Sequence, residues 1–166
     1  MQQHHTFSPL VAAPGATARD ADRRHAGWTW LVLRFLGALA VLGVGAVHLE
    51  AYTGPYSAIP TIGTLFVLNF VAATVIGLVL LAPLEHVAGA WGGAAVALVT
   101  AAGMALAGVS YVMLFISERM PLFGFQEPGY DPAAISASRW LELAAFALLG
   151  ISLLLRFASR SPARRW

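Results

Sequence analysis

The sequence lacks cysteine and lysine and has few charged side chains of any kind. Without cysteine, the 166-residue chain can form no disulfide, thiolate metal site or cysteine nucleophile. Because all ten basic residues are arginine, it also has no lysine for a Schiff base or a phosphate-binding loop. Only 11% of its residues are charged, whereas soluble domains carry about 25%. The composition therefore excludes an ordinary soluble globular domain, and it excludes intrinsic disorder except at the ends.

The sequence contains four long apolar segments. Each of them reaches the ~20 residues that a helix needs to cross a membrane, and none has the alternating pattern of a strand. They cover about 28–49, 61–81, 90–116 and 140–157. The sequence predicts an all-α, polytopic membrane protein with an antiparallel bundle of four transmembrane helices. A mobile tail (1–26), the transmembrane domain (27–158) and a basic tail (159–166) are its expected parts.

The arginines predict the orientation of the chain. Eight of the ten precede the first span, lie near its start, or lie at the end of the last span and beyond it, and the two loops on the other side hold only Arg119 and Arg139. Since cytoplasmic segments are enriched in basic residues, both termini are expected in the cytoplasm. The expected location is the cell membrane, as a multi-pass protein of a bacterial inner or plasma membrane. The sequence has no basic patch with interleaved aromatic residues, so we expect no nucleic-acid partner.

Each span has one face of small or polar residues, which is typical of helix interfaces in membranes. Five polar residues on or beside these faces fall in the outer half of the predicted bilayer: His48, Asn69, Ser110, Tyr111 and Glu142. Intramembrane polar and ionisable groups are costly and often mark functional sites. We therefore expect a ligand or proton site formed by His48, Asn69, Tyr111 and Glu142.

A structural role is the alternative for each of these polar side chains. His48 would extend to the interface, Asn69 would link helices, and Glu142 would pair with Arg139 one turn away. Arg34 is expected to extend to the inner head groups, and Glu85 to be a solvated flank. Thr100 and Ser110 are expected to bond the carbonyl four residues before them.

The two outer loops carry signals of their own. Asp131 followed by Pro132 is typical of a helix start, which predicts that the last helix begins about two turns before its membrane entry. The Gly- and Pro-punctuated segment 117–138 is expected to fold onto the top of the bundle. Tyr52 and Tyr56 are expected at the boundary between lipid and water.

Several kinds of chemistry have no matching motif. No zincin spacing, facing pair of haem-ligating histidines, phosphate loop or serine-triad pattern occurs, so we expect no metal, no cofactor and no catalytic residue. The lipid bilayer is the expected partner, together with other subunits of a membrane complex or further copies of the chain.

Two stretches resemble known small membrane proteins. Leu33-Arg34-Phe35-Leu36-Gly37 followed by Gly43, Gly45 and His48 resembles the first helix of the DoxX-like proteins, which have four helices and a similar size. The Ile59-Pro60-Thr61-Ile62-Gly63 stretch, with Leu65 and Phe66, is similar to uncharacterised four-helix proteins from actinobacteria. Because some DoxX-like proteins are subunits of quinone-linked oxidoreductases or partners of oxidative-stress enzymes, the resemblance implies an accessory role.

Three functions follow as hypotheses. The first is a non-catalytic accessory or assembly subunit of a larger membrane complex, such as a quinone- or redox-linked one. The second is a small-ligand or proton-handling membrane protein that uses the outer-leaflet polar residues. The third is a membrane enzyme acting on lipids or quinones, for which only His48 and Glu142 could serve as acid and base. A cavity lined by the four site residues favours the second hypothesis, and a closed apolar core favours the first.

Overall fold

The computed structural model describes residues 14–160, and all of its regular structure is helical. Helix α1 covers Pro14–Thr53, α2 Pro60–Leu81, the short α3 Leu84–Val87, α4 Gly92–Ser117 and α5 Pro132–Arg160. Two short 3-10 helices, Pro55–Ala58 and Gly89–Trp91, lie in the connections. No strand occurs in this part of the chain.

Four helices are long and apolar enough to cross a membrane, as the sequence predicts. The candidate spans are Gly27–Thr53, Pro60–Leu81, Gly89–Ser117 and Pro132–Ala158. Each lies over one of the four predicted runs, and the first and last are longer than predicted.

The helix ends differ from the expected domain limits. Helix α1 begins at Pro14, so the second half of the segment 1–26, expected to be a mobile tail, continues the first span as helix. At the other end of the chain, α5 continues to Arg160, so the first two residues of the expected basic tail (159–166) are also helical. Residues 1–13 and 161–166 lie outside the described part of the chain.

Helix α5 starts where its sequence signal predicts. One carboxylate oxygen of Asp131 accepts hydrogen bonds from the backbone nitrogens of Ala133 and Ala134, at 3.1 and 2.9 Å. These two donors have no partner within the helix, and the proline before them suits the first helical position. The early start adds two turns to α5 and places Ser138 above Glu142 on the same helix.

The predicted small-residue faces pack against each other. Helix α1 lies against α5 and α2, while α4 lies against α5 and, less extensively, against α2. Their buried contacts form one apolar core, and large apolar side chains on the opposite faces are exposed. The core residues are Ala38, Ala40, Val41, Ala73, Leu80, Ala107, Ala145 and Leu149.

Close packing in this core depends on glycine. A Cβ atom at Gly103 on α4 would lie only 2.8 Å from the Cδ1 atom of Leu149 and 3.2 Å from the Cγ2 atom of Ile76. A Cβ atom at Gly45 on α1 would lie 3.0 Å from the Cβ atom of Ala73. Both positions thus bring α1, α2, α4 and α5 closer than any larger residue allows.

One end of the helices, here called the lower end, is joined by an ion cluster. The Glu85 carboxylate lies 2.5 Å from a guanidinium nitrogen of Arg34 and 3.5 Å from one of Arg156. Both guanidinium groups also lie over the ring of Trp30, 5.2 and 5.0 Å from its centroid. Arg34 and Arg156 are buried, so the expectation that Arg34 extends to the head groups is wrong. Glu85 is partly exposed, as expected for a flanking residue, but it is also paired with both arginines. Glu85 belongs to α3, in the connection between α2 and α4, and its ion pairs with Arg34 and Arg156 link that connection to α1 and α5.

Candidate functional site

A cavity of about 360 Å³ lies at the opposite, upper end of the helices, where residues 54–59 and 118–131 connect them. Its walls come from the last turns of α1 and α4 and the first turns of α2 and α5. Apolar side chains form most of the wall, including Leu65, Phe66, Met113, Leu114 and Ile135. A cavity of roughly 150 Å³ holds a benzene-sized molecule, so this one has room for a considerably larger apolar ligand.

One side of the cavity carries a group of polar side chains, which we call the polar cluster. It comes from all four long helices: one residue each from α1, α2 and α4, and two from α5. Its members are His48, Asn69, Ser110, Ser138 and Glu142. Three of them are ones that the sequence analysis proposed for a common site.

The hydrogen bonds of His48 fix the roles of its two ring nitrogens. The Nδ1 atom lies 2.9 Å from the carbonyl oxygen of Val44, one turn earlier on α1. Because a carbonyl only accepts, Nδ1 donates, and Nε2 of the neutral ring is then an acceptor. The Ser110 hydroxyl, 3.1 Å from Nε2, donates to it.

This assignment also fixes the side-chain amide of Asn69. Since the proton of Ser110 goes to His48, the serine oxygen is free to accept, and Asn69 Nδ2 donates to it at 3.1 Å. A relay of hydrogen bonds therefore runs from α2 through α4 to α1. The expectation that Ser110 bonds a carbonyl of its own helix is wrong, whereas Thr100 does bond the carbonyl of Val96 as expected.

Glu142 lies at the other edge of the relay and is almost fully buried, with 1% of its surface exposed. Its Oε1 atom accepts a hydrogen bond of 2.9 Å from Ser138 and lies 3.9 Å from His48 Nε2. Ser110 interacts with the same carboxyl group. Arg139 does not pair with Glu142; it pairs with Glu118, at the end of α4.

Two buried oxygen atoms in the cluster have no hydrogen-bond partner among the described residues. They are Oδ1 of Asn69 and Oε2 of Glu142. Buried polar atoms without a partner cost about 1–3 kcal/mol each, so such atoms in a folded protein call for an explanation. Both belong to side chains that line the cavity.

Tyr111 is the one proposed site residue that the structure does not bring into the cluster. A step of one residue on a helix rotates a side chain by about 100°, so Ser110 and Tyr111 cannot share a face. Ser110 lines the cavity and Tyr111 is not among its lining residues. Ser110 and Ser138 are the two members of the cluster that the sequence analysis left out of the site, although the spacing of four between Ser138 and Glu142 on a helix is a usable signal.

Aromatic side chains close the upper end of the cavity. Tyr56, which the sequence placed at the lipid–water boundary, is buried, with 3% of its surface exposed. Its ring lies 5.0 Å from that of Phe66 and 6.1 Å from that of Phe125, which belongs to the segment between α4 and α5. That segment therefore folds onto the top of the helices as expected, and Phe125 joins the wall of the cavity.

Glu127 holds this closing segment in place. One of its carboxylate oxygens accepts hydrogen bonds from the backbone nitrogens of Gly129 and Tyr130, at 2.8 and 3.1 Å. Its side chain also interacts with the hydroxyl of Tyr56. Burial, together with this hydrogen bond and the negative charge of Glu127, raises the pKa of Tyr56 above its ordinary value. Tyr56 therefore stays neutral and donates to Glu127 over the physiological pH range.

The cluster offers hydrogen bonding and proton exchange rather than metal ligation. Among the side chains that the structure describes, no group of three or more histidine, aspartate or glutamate residues is placed to hold a metal ion. His48 and Glu142 lie 3.9 Å apart, too far for a direct hydrogen bond, so the Ser110 hydroxyl, which interacts with both, is the group that can pass a proton between them.

Comparison with known proteins adds no further information on this site. No family model matches the chain, and neither the curated proteins nor the solved structures give a significant match. The resemblance to DoxX-like proteins is therefore untested by these comparisons.

Proposed function

We propose that this protein is a multi-pass membrane protein that binds a small, mainly apolar molecule in the upper cavity. The four long helices form an antiparallel bundle with both termini in the cytoplasm, in the inner or plasma membrane of a bacterium. The upper end then lies in the outer half of the bilayer. The arginine distribution supports this orientation, since eight of ten arginines belong to the terminal ends of the first and last spans.

The observation that carries the proposal is the combination of an apolar cavity and a convergent polar cluster. Ligand sites are typically apolar hollows of ~300–1,000 Å³ with a few polar groups that fix orientation. The cavity of about 360 Å³ falls within that range, and His48, Asn69 and Glu142 line it together.

The same observation favours ligand binding over an accessory-subunit role. An accessory subunit would be expected to have a closed apolar core with its polar groups at the surface. Glu142 and His48 are instead buried, with 1% and 8% of their surfaces exposed. A DoxX-like relationship would fit the size and the helix count, but no step of the proposal depends on it.

Native mass spectrometry after extraction in a mild detergent tests this function. The wild-type protein should carry a small molecule that is absent from Ala72→Phe, because Ala72 lines the cavity and a phenyl ring there fills part of it. Val71→Phe is the matched control, since Val71 is exposed on the neighbouring position of α2. Identical bound species in all three proteins would contradict binding in the cavity.

A further inference from the structure

The hydrogen bonds of the polar cluster leave two groups for a ligand to satisfy. His48, Ser110 and the amide nitrogen of Asn69 are already connected to each other, and Ser138 donates to one oxygen of Glu142. Asn69 Oδ1 and Glu142 Oε2 remain. Asn69 Oδ1 can only accept, whereas Glu142 Oε2 donates when the acid carries its proton there.

These two atoms belong to side chains around the same serine. Ser110 bonds Asn69 and interacts with Glu142, so both side chains lie around one residue on the same side of the cavity. Neither oxygen has accessible surface, so contact with a ligand requires the Asn69 and Glu142 side chains to rotate towards the cavity. Most of the remaining wall is apolar, and the hydroxyls of Tyr56 and Ser117, which also line the cavity, already donate to Glu127 and to the carbonyl of Leu114.

From this arrangement we infer that the ligand presents a hydroxyl group, as an alcohol or a phenol, to Asn69 and Glu142. The inference rests on the proposed function and specifies its ligand class. When Glu142 carries its proton on Oε2, a hydroxyl oxygen accepts that proton and donates its own hydrogen to Asn69 Oδ1. One neutral group thereby satisfies both atoms.

Other polar groups fit less well. A ketone or an ester only accepts hydrogen bonds, so it would leave Asn69 Oδ1 unsatisfied. An ammonium group donates three hydrogen bonds and accepts none. The two free oxygens could accept two of them, and the third N–H would face the apolar wall without an acceptor. A purely apolar ligand would leave both atoms as they are.

A matched series of compounds tests the inference on the wild-type chain. The protein is reconstituted in lipid nanodiscs, and equilibrium binding is measured for radiolabelled 4-hexylphenol, hexylbenzene and 4-pentylbenzylamine. Binding is expressed against each compound's concentration in the bilayer, obtained from empty nanodiscs. We expect 4-hexylphenol to bind about tenfold more tightly than hexylbenzene. Of these two compounds, only the phenol forms hydrogen bonds with the two buried oxygens, which otherwise have no partner among the described residues.

A variant locates the hydroxyl group. Asn69→Leu should remove most of the preference for the phenol, whereas Thr74→Val should keep it. Thr74 is on the same helix, bonds the carbonyl of Phe70, and does not line the cavity. If Asn69→Leu does not fold, the comparison of the three compounds on the wild-type protein still decides.

Each other outcome has a distinct meaning. Equal binding of phenol and hexylbenzene would overturn the hydroxyl inference and leave cavity binding intact. Tighter binding of the amine would overturn it in favour of an ionised Glu142 and a cationic ligand. A full phenol preference in Asn69→Leu would place the hydroxyl elsewhere and overturn the assignment. Binding of none of the three compounds would contradict the proposed function itself.

Discussion

The imidazole of His48 on α1 and the carboxyl group of Glu142 on α5 face each other with 3.9 Å between Nε2 and Oε1. Their positions are 94 residues apart in the sequence, and Ser110 on α4 contacts both. The pair therefore joins three helices at the wall of the cavity. His48 therefore does not extend to the membrane interface, and Glu142 does not pair with Arg139 at the surface.

This contact predicts energetic coupling between the two residues. In a double-mutant cycle of His48→Ala and Glu142→Ala, the free energies of unfolding in mixed micelles should differ from additivity by more than about 0.5 kcal/mol. The physical reason is that each substitution changes the hydrogen bonding of Ser110, which the other residue shares. A parallel cycle of His48→Ala with Glu50→Ala is the control, since Glu50 is exposed near the end of α1. Strict additivity of the first pair would show that the contact has no energetic consequence.

The close approach of the helices at Gly103 predicts a strong effect of side-chain size. Gly103→Leu should lower detergent stability and yield substantially, because its Cβ alone would meet Leu149 and Ile76. Ala102→Leu adds the same side chain one position away, where the helix surface is exposed, and should behave like the wild type. Thermal unfolding followed by circular dichroism measures both. Similar unfolding temperatures for the two variants would mean that this face of α4 is not a tight interface.

The ion cluster at the lower end predicts that Glu85 has a stabilising role. Glu85→Gln leaves the buried guanidinium groups of Arg34 and Arg156 without the carboxylate between them. Because hydrogen bonds to charged groups contribute ~1.5–3 kcal/mol and Glu85 is partly exposed, we expect a loss of about 1–3 kcal/mol. Glu50→Gln, at an exposed position, should cost much less. The midpoints of thermal unfolding of the two variants provide the comparison, and equal midpoints would deny the cluster a stabilising role.

The arginine distribution predicts which side of the membrane each loop faces. The chain has no cysteine, so single cysteines give an unambiguous signal. Ser57→Cys, at an exposed position between α1 and α2, should react in intact cells with a maleimide that cannot cross the membrane. Ser161→Cys should react only after the membrane is permeabilised. The reverse pattern would invert the orientation and move the cavity to the inner half of the bilayer.

The helices and their buried faces could be predicted because they depend on local patterns. The stripe of Arg34, Ala38, Val41, Gly45 and His48 on the first span follows from helical spacing, and all five are buried in α1. The Asp131 cap is equally local, since it needs only the two backbone donors beside it. Such features require no knowledge of how the helices are arranged.

The cavity and the ion cluster depend on contacts between distant segments, and their details could not be predicted. From bilayer depth and helix face, the sequence predicts that His48, Asn69 and Glu142 lie in the same half of the bilayer and face the other helices. It does not predict the cavity beside them. That space results from the side-chain volumes of four helices and from the closing segment around Phe125. The position of Glu85 between two arginines depends likewise on three helix ends meeting, which charge counts alone do not specify.

Photoaffinity labelling in native membranes tests the central claim, binding in the upper cavity, most directly. The probe is an alkylphenol with a diazirine in its alkyl chain, and labelled residues are identified by peptide mass spectrometry. The account predicts adducts at cavity-lining residues such as Leu65, Met113 and Ile135, and their loss in Ala72→Phe but not in Val71→Phe. Adducts confined to exposed positions such as Val75, Leu98 and Leu154, with the same yield in all three proteins, would contradict it.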